Sequence, residues 1–161
     1  MAELLVKPAS GAVVHDITPQ SAGWGHVGFG LHDLAAGGVI DGSGDGNELC
    51  IVLLSGAVSV SAGDVDFGHI QGRESVFDGV PAHAFYVPMQ TTWKVEATTA
   101  SEVAICRAPG IDGVHPPRHI TPDSMSLETR GSGANTRHVC NILPETEPAD
   151  SLLVVEVITP S

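Results

Sequence analysis

Apolar residues recur at every second position in several short stretches of the chain. The alternation covers residues 27–31, 58–60, 65–67 and 93–97, and the intervening positions are polar or glycine. A period of two directs alternate side chains to opposite faces of a strand. Each stretch is therefore predicted to be a strand with an apolar face turned inward and a polar face turned to solvent.

Two further stretches, residues 49–54 and 152–155, are apolar at nearly every position. Such runs are typical of strands that are covered on both faces, so both are predicted to be central strands. Turn-forming residues separate the predicted strands, and no long segment has the three-to-four-residue period of an amphipathic helix. The pattern predicts an all-β sandwich or small barrel.

The length of 161 residues is enough for one hydrophobic core. A change of composition near residue 109 nevertheless divides the chain, because the segment that follows is rich in Pro, Gly and His. We expect a barrel over residues 1–108, a connector over 109–126, and strands over 127–161 that bridge toward a second unit.

The formal net charge is −12, with only seven Lys and Arg residues. A surface this acidic repels phosphate backbones and anionic lipids, so nucleic-acid and membrane-surface roles are disfavoured. The three cysteines lack Cys-x-x-Cys spacing and have apolar neighbours, which predicts buried free thiols in a reducing compartment. The N-terminal segment MAELLVKP does not have the pattern of a signal peptide, and a cytoplasmic protein is expected.

Six runs of sequence, in order, resemble the 5-deoxy-glucuronate isomerase family of inositol catabolism. They are ITPQSAGWGHVGF (17–29), ELCIVLLSGAVSV (48–60), SVFDGVPAHAFYVP (75–88), PPRHITP (116–122), RGSGANTRHVCNILPE (130–145) and ADSLLVVEVITP (149–160). Proteins of that family are similar to bicupins, which contain two cupin domains of the jelly-roll (double-stranded β-helix) type. They convert a deoxy-uronic acid, an aldose, into a keto acid, 5-keto-2-deoxy-gluconate.

The resemblance implies that this chain is the N-terminal cupin of such an isomerase. It also implies that the catalytic divalent metal belongs to a C-terminal cupin beyond residue 161. We therefore expect no cofactor in this chain. The resemblance implies that the whole protein is an enzyme, an isomerase, but the chain alone is expected to be inactive. The expected partners are a small sugar acid and a second copy of the chain or a second cupin domain.

The general cupin motifs can be compared with the sequence directly. Aligning Glu48 and Gly56 with the first motif puts its two His positions in residues 41–44, where there is no His. Aligning Pro88 with the second motif puts Trp93 where the third His belongs, and Trp cannot bind a metal. The barrel is therefore predicted to be metal-free, with Trp93 filling its mouth. Glu48 is a weak catalytic candidate, since without metal partners a role in a turn or a strand-end hydrogen bond is commoner, and we assign no catalytic residue.

Other histidines could form an unorthodox metal site. His26, His32 and His83 lie on predicted strands or near their ends, and a cluster inside the barrel is conceivable, although surface or structural roles are commoner. His115 and His119 have helical spacing, but two prolines between them favour a loop.

A uronic acid carries a carboxylate, which Arg and amide donors bind well. The segment 130–141 is rich in such groups, and its candidate substrate-binding residues are Arg130, Asn135, Arg137 and Asn141. The alternative is that these arginines form salt bridges that hold two domains together. For the whole chain, the alternative function is a free-standing metal-free cupin that binds a sugar acid or serves as a dimerisation module.

Overall fold

The computed structural model describes residues 5–160, which leaves the first half of the segment MAELLVKP outside the described residues. The described chain is almost entirely strand. Its elements are β1 (Val13–Ile17), α1 (Pro19–Ala22), β2 (Gly28–Leu34), β3 (Val39–Ser43), β4 (Asn47–Ser55), β5 (Ala57–Ala62), β6 (Val65–Gln71), β7 (His83–Val87), β8 (Thr92–Ala97), β9 (Ser101–Pro109), β10 (Arg118–Ile120), β11 (Ser126–Arg130), β12 (Arg137–Leu143) and β13 (Val154–Ile158), with single-turn 3-10 helices at Pro122–Ser124 and Gly133–Asn135.

The strands form three antiparallel sheets. A six-stranded sheet has the order β1-β2-β9-β4-β7-β10, a four-stranded sheet has the order β3-β8-β5-β6, and a three-stranded sheet has the order β11-β12-β13. The prediction of an all-β, cupin-type fold is confirmed. The predicted barrel needs one correction: it is not closed, because within residues 5–160 the three sheets are separate and no strand of one sheet pairs with a strand of another.

The six-stranded sheet lies in the middle, and each of its faces is packed. Its inner face meets the four-stranded sheet, and the apolar side chains between them form what we call the inner core: Leu34, Leu49, Ile51, Leu53, Val58, Val60, Ala62, Phe85, Val87, Trp93, Val95, Ala97, Val103 and Ile105. Its outer face meets the three-stranded sheet over the outer core: Cys50, Val52, Ala82, Ala84, Tyr86, Ala104, Ala108, Ile120, Met125, Cys140, Ile142, Leu143, Leu152 and Val154.

The two predicted central strands have different outcomes. Strand β4 contributes alternate residues to both cores, so the prediction for residues 49–54 is confirmed. The prediction for residues 152–155 is wrong, because Leu153 is 63% exposed and Val155 is 53% exposed. These residues enter and begin β13, which is an edge strand of the three-stranded sheet. Only one face of that sheet is packed, so only alternate residues are buried.

The predictions for the alternating stretches also have different outcomes. Those in β5 and β8 are confirmed, since Val58, Val60, Val95 and Ala97 are all buried in the inner core. The prediction that the apolar residues of 27–31 face inward is wrong for β2, because Val27 and Phe29 are exposed, whereas Gly28 and Gly30 are buried. Strand β2 lies one strand from the edge of the wide central sheet, where cover on the outer face is incomplete.

The stretch predicted as a connector, residues 109–126, contains β10, which pairs with β7 at one edge of the central sheet. The strands of residues 127–161 belong to the three-stranded sheet that covers the outer core. The proposed division into barrel, connector and bridging strands stays a prediction. Among the described residues, no helix has the length and hydropathy needed to cross a membrane.

Candidate functional site

Trp93 occupies the position at which the second cupin motif places a metal-binding His, which we call the cupin metal position. Its side chain is 8% exposed and belongs to the inner core. Gly42 of β3 is its direct partner in the sheet, and a Cβ added at Gly42 would lie 3.2 Å from the indole ring. Gly42 falls in the segment where the first motif would carry its histidines. The indole therefore covers the face on which those ligands would stand.

Glu48, which the sequence aligns with the carboxylate ligand, points away from this position. Its neighbour Leu49 enters the inner core, so Glu48 faces the outer side of the same sheet. There its carboxylate is fully buried and accepts hydrogen bonds from the Tyr86 hydroxyl (2.7 Å) and from the backbone N–H groups of Asp150 (2.8 Å), Ser151 (2.6 Å) and Leu152. The alignment of Glu48 with a metal ligand is thus wrong, and the side chains at this position do not fit a cupin metal.

Glu48 instead fastens the loop before β13 to the central sheet. We call these hydrogen bonds of Glu48 the latch. Asp150, in the same loop, adds to it, because its carboxylate accepts hydrogen bonds from the N–H groups of Ile111 (2.7 Å), Asp112 (3.2 Å) and Gly113 (3.1 Å). These bonds lower the pKa of Asp150, with the Ile111 bond as the largest cause. Burial, followed by the hydrogen bond to Glu48, raises the pKa of Tyr86. The role of Glu48 is structural.

The four predicted substrate-binding residues lie on or beside β11 and β12. Arg130 and Arg137 are direct cross-strand partners, so their side chains leave the same face of the sheet, and both are exposed. Asn141 shares that face and is 9% exposed, while Asn135 lies in the preceding 3-10 helix and is exposed. The structure therefore brings the two arginines together and places both asparagines nearby.

Hydrogen bonds connect this group. The Nε of Arg130 donates to Glu128 at 2.9 Å, and Asn141 Nδ2 donates to the other Glu128 oxygen at 2.8 Å. The bond from Arg130, followed by that from Asn141, lowers the pKa of Glu128. Within residues 5–160 Arg137 donates only to the backbone oxygen of Asn135, at 3.3 Å. Like charges directly opposite in a sheet are destabilising, and of these two arginines only Arg130 has a carboxylate partner within the same residues.

The conceivable cluster of His26, His32 and His83 does not form. His32 and His83 do lie on the inner face in one lateral row, His32–Val103–Leu53–His83. Three strand spacings separate them, which is roughly 14 Å. His26 is exposed in the loop before β2. Burial, followed by the charge of Arg107, lowers the pKa of His32, which favours a neutral imidazole.

The structure brings together a different pair, which the sequence did not indicate. His83 Nδ1 of β7 lies 2.9 Å from His119 Nε2 of β10. The two residues are 36 positions apart, and they meet only because β10 pairs with β7. His115, the partner considered for His119, lies instead 4.0 Å from Asp150. Within residues 5–160, no three His, Cys, Asp or Glu side chains converge as a metal site.

An apolar groove of about 400 Å³ lies between the loop of residues 77–81 and the three-stranded sheet, all three strands of which line it. Its walls include Phe77, Val80, Leu127 and Ile158, and Phe77 is 81% exposed. The ion pair between Arg73 and Glu156 lies beside it, with the Arg73 side chain 1% exposed. Nothing in the arrangement of these groups favours a particular small ligand.

Comparison with known proteins decides the family. Residues 4–161 match the KduI/IolB family. The chain belongs to this family. It is 46% identical over 144 residues to a 5-deoxy-glucuronate isomerase of Geobacillus kaustophilus, covering 89% of this chain and 52% of the relative. It is 39% identical over 168 residues to the isomerase of the same name from Halalkalibacterium halodurans, covering 100% of this chain and 62% of that relative.

The crystal structure of an IolB-like protein from Salmonella typhimurium LT2 is similar over 97% of this chain and 59% of its own, with a TM-score of 0.92 and 46% identity. The protein Ylba from E. coli shares the fold alone, at a TM-score of 0.58 and 15% identity over 88% of this chain and 55% of its own. The chain thus spans about half the length of the curated KduI/IolB relatives that it matches. The resemblance seen in the sequence is confirmed.

Proposed function

We propose that this chain is part of an isomerase that converts 5-deoxy-glucuronate into the corresponding keto acid in inositol catabolism. The observation that carries the proposal is the 46% identity to a curated 5-deoxy-glucuronate isomerase over 89% of the chain. The deoxyuronate is the expected small-molecule partner, and the cytoplasm is the expected compartment.

The cross-strand pair Arg130 and Arg137 supports a role in binding the substrate carboxylate. Both guanidinium groups are on the solvent face, and the carboxylate of Glu128 satisfies only Arg130. An Arg can hold a carboxylate through two parallel N–H···O bonds. Asn141 supplies a further polar group on the same face, and Asn135 lies in the 3-10 helix just before β12.

The metal-dependent chemistry is assigned to a second cupin domain rather than to the cupin position in this one. Trp93 and Gly42 leave no metal-binding side chain at that position, and Glu48 is engaged on the opposite face. In this proposal the chain supplies carboxylate recognition and a scaffold, and it packs against a second cupin domain or a second copy of itself.

Titration calorimetry of 5-deoxy-glucuronate into the 161-residue chain tests the binding role. We expect saturable binding that weakens about tenfold in Arg137→Ala, since a charge-assisted hydrogen bond contributes roughly 1.5–3 kcal/mol. Arg137→Lys should retain part of the affinity, because the charge remains while the bidentate geometry is lost.

Lys94→Ala is the matched control, because Lys94 is an exposed cation that pairs with Glu96 on the four-stranded sheet. The Lys94→Ala variant should bind the sugar acid with the same affinity as the unaltered chain. The carboxylate role would be contradicted if the chain showed no saturable binding, or if Arg130→Ala and Arg137→Ala both bound the sugar acid as tightly as the unaltered chain. Nuclear magnetic resonance of the same mixture reports turnover, which we expect to be absent without the metal domain.

A further inference from the structure

His83 and His119 stand at the end of the inner core that is opposite Trp93. In the four-stranded sheet, Trp93 pairs with Ala62 at the end of β5. In the six-stranded sheet, His83 pairs with Leu53, which lies at the other end of β4 from Leu49. Both imidazoles are half-buried, so they are neither sealed in the core nor free on the surface. This end of the sandwich is therefore separate from the cupin metal position.

The orientation of the pair is fixed by its aromatic neighbours. The His119 ring stacks on Phe85 with centroids 4.8 Å apart and planes inclined by 14°, and Phe67 meets it edge-on at 6.4 Å. The His83 and His119 rings have centroids 5.0 Å apart. Because Phe85 is fully buried, the two imidazoles are held in place without a metal.

The separation of the two facing nitrogens suits a shared metal ion. His83 Nδ1 and His119 Nε2 are 2.9 Å apart. Two metal–imidazole bonds of about 2.0–2.1 Å that meet at roughly 90–110° place their nitrogens about 2.9–3.4 Å apart. An ion bound to both nitrogens would lie about 1.4 Å to one side of the line that joins them, so the two rings must turn to direct their lone pairs at it while the distance between the nitrogens stays nearly the same.

The chemistry of the donors also limits which ion could bind. The pair offers two imidazole nitrogens in a partly apolar setting beside Phe67 and Phe85. Neutral imidazole selects borderline ions such as zinc, nickel and copper over magnesium or calcium.

We propose that His83 and His119 together bind one divalent transition-metal ion, leaving its other coordination positions open to water or to oxygen atoms of a ligand. The site is independent of the isomerase proposal, because it uses neither the arginine pair nor the cupin metal position. It departs from the expectation that this chain holds no metal.

The test uses the tag-free chain after removal of bound metal with a chelator. Cu²⁺ added in equimolar amount should give an electron paramagnetic resonance spectrum with coupling to two imidazole nitrogens. The spectrum of His83→Ala or of His119→Ala should show coupling to at most one. Titration with Zn²⁺ should show one site, weakened by about tenfold or more in each variant, because half of the protein ligands are lost. Excess Mg²⁺ should not compete.

His69→Ala is the matched control, since His69 is an exposed histidine on the neighbouring strand β6 and should leave the metal affinity unchanged. His83→Gln and His119→Gln serve where the alanine variants unfold, and thermal melting verifies that each variant is folded. Unchanged Zn²⁺ affinity in folded variants of both residues, or no binding by the unaltered chain at millimolar Zn²⁺, would overturn the proposal and leave the pair as a hydrogen-bonded structural contact.

Discussion

The two faces of the six-stranded sheet carry cores that differ in chemistry. Within residues 5–160 each core contains fourteen buried apolar residues, so the difference does not lie in the number of residues that pack. The inner core closes on Trp93 with apolar side chains, whereas the outer core also encloses the Glu48 carboxylate and borders the ion pair of Arg73 and Glu156.

The two sides of the central sheet differ in where buried charged side chains lie. The side of the sheet on which cupin motifs place their ligands has become a packing surface. The buried Glu48 carboxylate and the ion pair of Arg73 and Glu156 are on the other side, where Glu48 fastens the loop before β13. If this description is right, substitutions on the outer face should act through lost hydrogen bonds, and substitutions on the inner face through lost packing.

The largest effect is expected for Glu48→Ala. The substitution leaves the Tyr86 hydroxyl and three backbone N–H groups without their acceptor in a fully buried place. We expect a loss of about 4 kcal/mol, because each buried donor left unsatisfied costs roughly 1–3 kcal/mol and some will reach water. Urea unfolding measures it, and Glu48→Gln, which retains an acceptor oxygen, should lose less. A loss below that of Trp93→Ala would break the comparison.

Trp93→Ala should cost about 3 kcal/mol, at the low end for a large aromatic side chain because the indole is not completely buried. The cause is a cavity rather than a missing hydrogen bond, so Trp93→Leu should restore part of the stability. Thermal unfolding of the three proteins provides the measurement. Equal melting temperatures for the Ala and Leu variants would show that packing is not what Trp93 supplies.

Arg73→Leu should cost about 2–3 kcal/mol, because it leaves the largely buried Glu156 without its partner and removes donors to the carbonyl oxygens of Leu54 and Val80. Lys94→Ala is the contrasting change at an exposed ion pair, and its urea midpoint should not differ measurably from that of the unaltered chain. Similar midpoints for the two variants would show that burial does not distinguish these pairs.

The smallest effect concerns pH. Burial holds the pKa of His83 and of His119 below the ordinary value of 6.5, so the unfolded chain takes up protons more readily than the folded one. Stability is therefore fully present above pH 6.5 and is lost as pH falls through the lowered pKa values. We expect less than about 1 kcal/mol, because both rings are partly solvated. Urea midpoints at neutral and mildly acidic pH should converge more in His119→Gln than in the unaltered chain.

Much of the fold could be predicted from the sequence because strand periodicity reports burial directly. The positions of Val58, Val60, Val95 and Ala97 follow from it. The orientation of Glu48 could not be predicted, because residues 49–54 are apolar at both parities and the strand could face either way. A shift of one residue in the assignment turns Glu48 from one face to the other.

The candidate site was predicted unevenly for a related reason. Arg130 and Arg137 are close in sequence, and the hairpin of β11 and β12 brings them opposite each other. His83 and His119 belong to strands whose pairing depends on where β10 docks, and the Pro-rich sequence around β10 resembles a loop rather than a strand. Local pattern therefore found the arginine pair and could not find the histidine pair.

The latch at Glu48 has a consequence for how the chain folds. The carboxylate and the N–H groups that it binds are separated by 102 to 104 residues, so these bonds form only after most of the chain has been ordered. Closing so long a loop is entropically costly, and domains dominated by such distant contacts fold in milliseconds to seconds. We expect the outer face of the central sheet to stay uncovered until β11 to β13 have packed on it. During that time its apolar side chains are exposed and can associate with other chains.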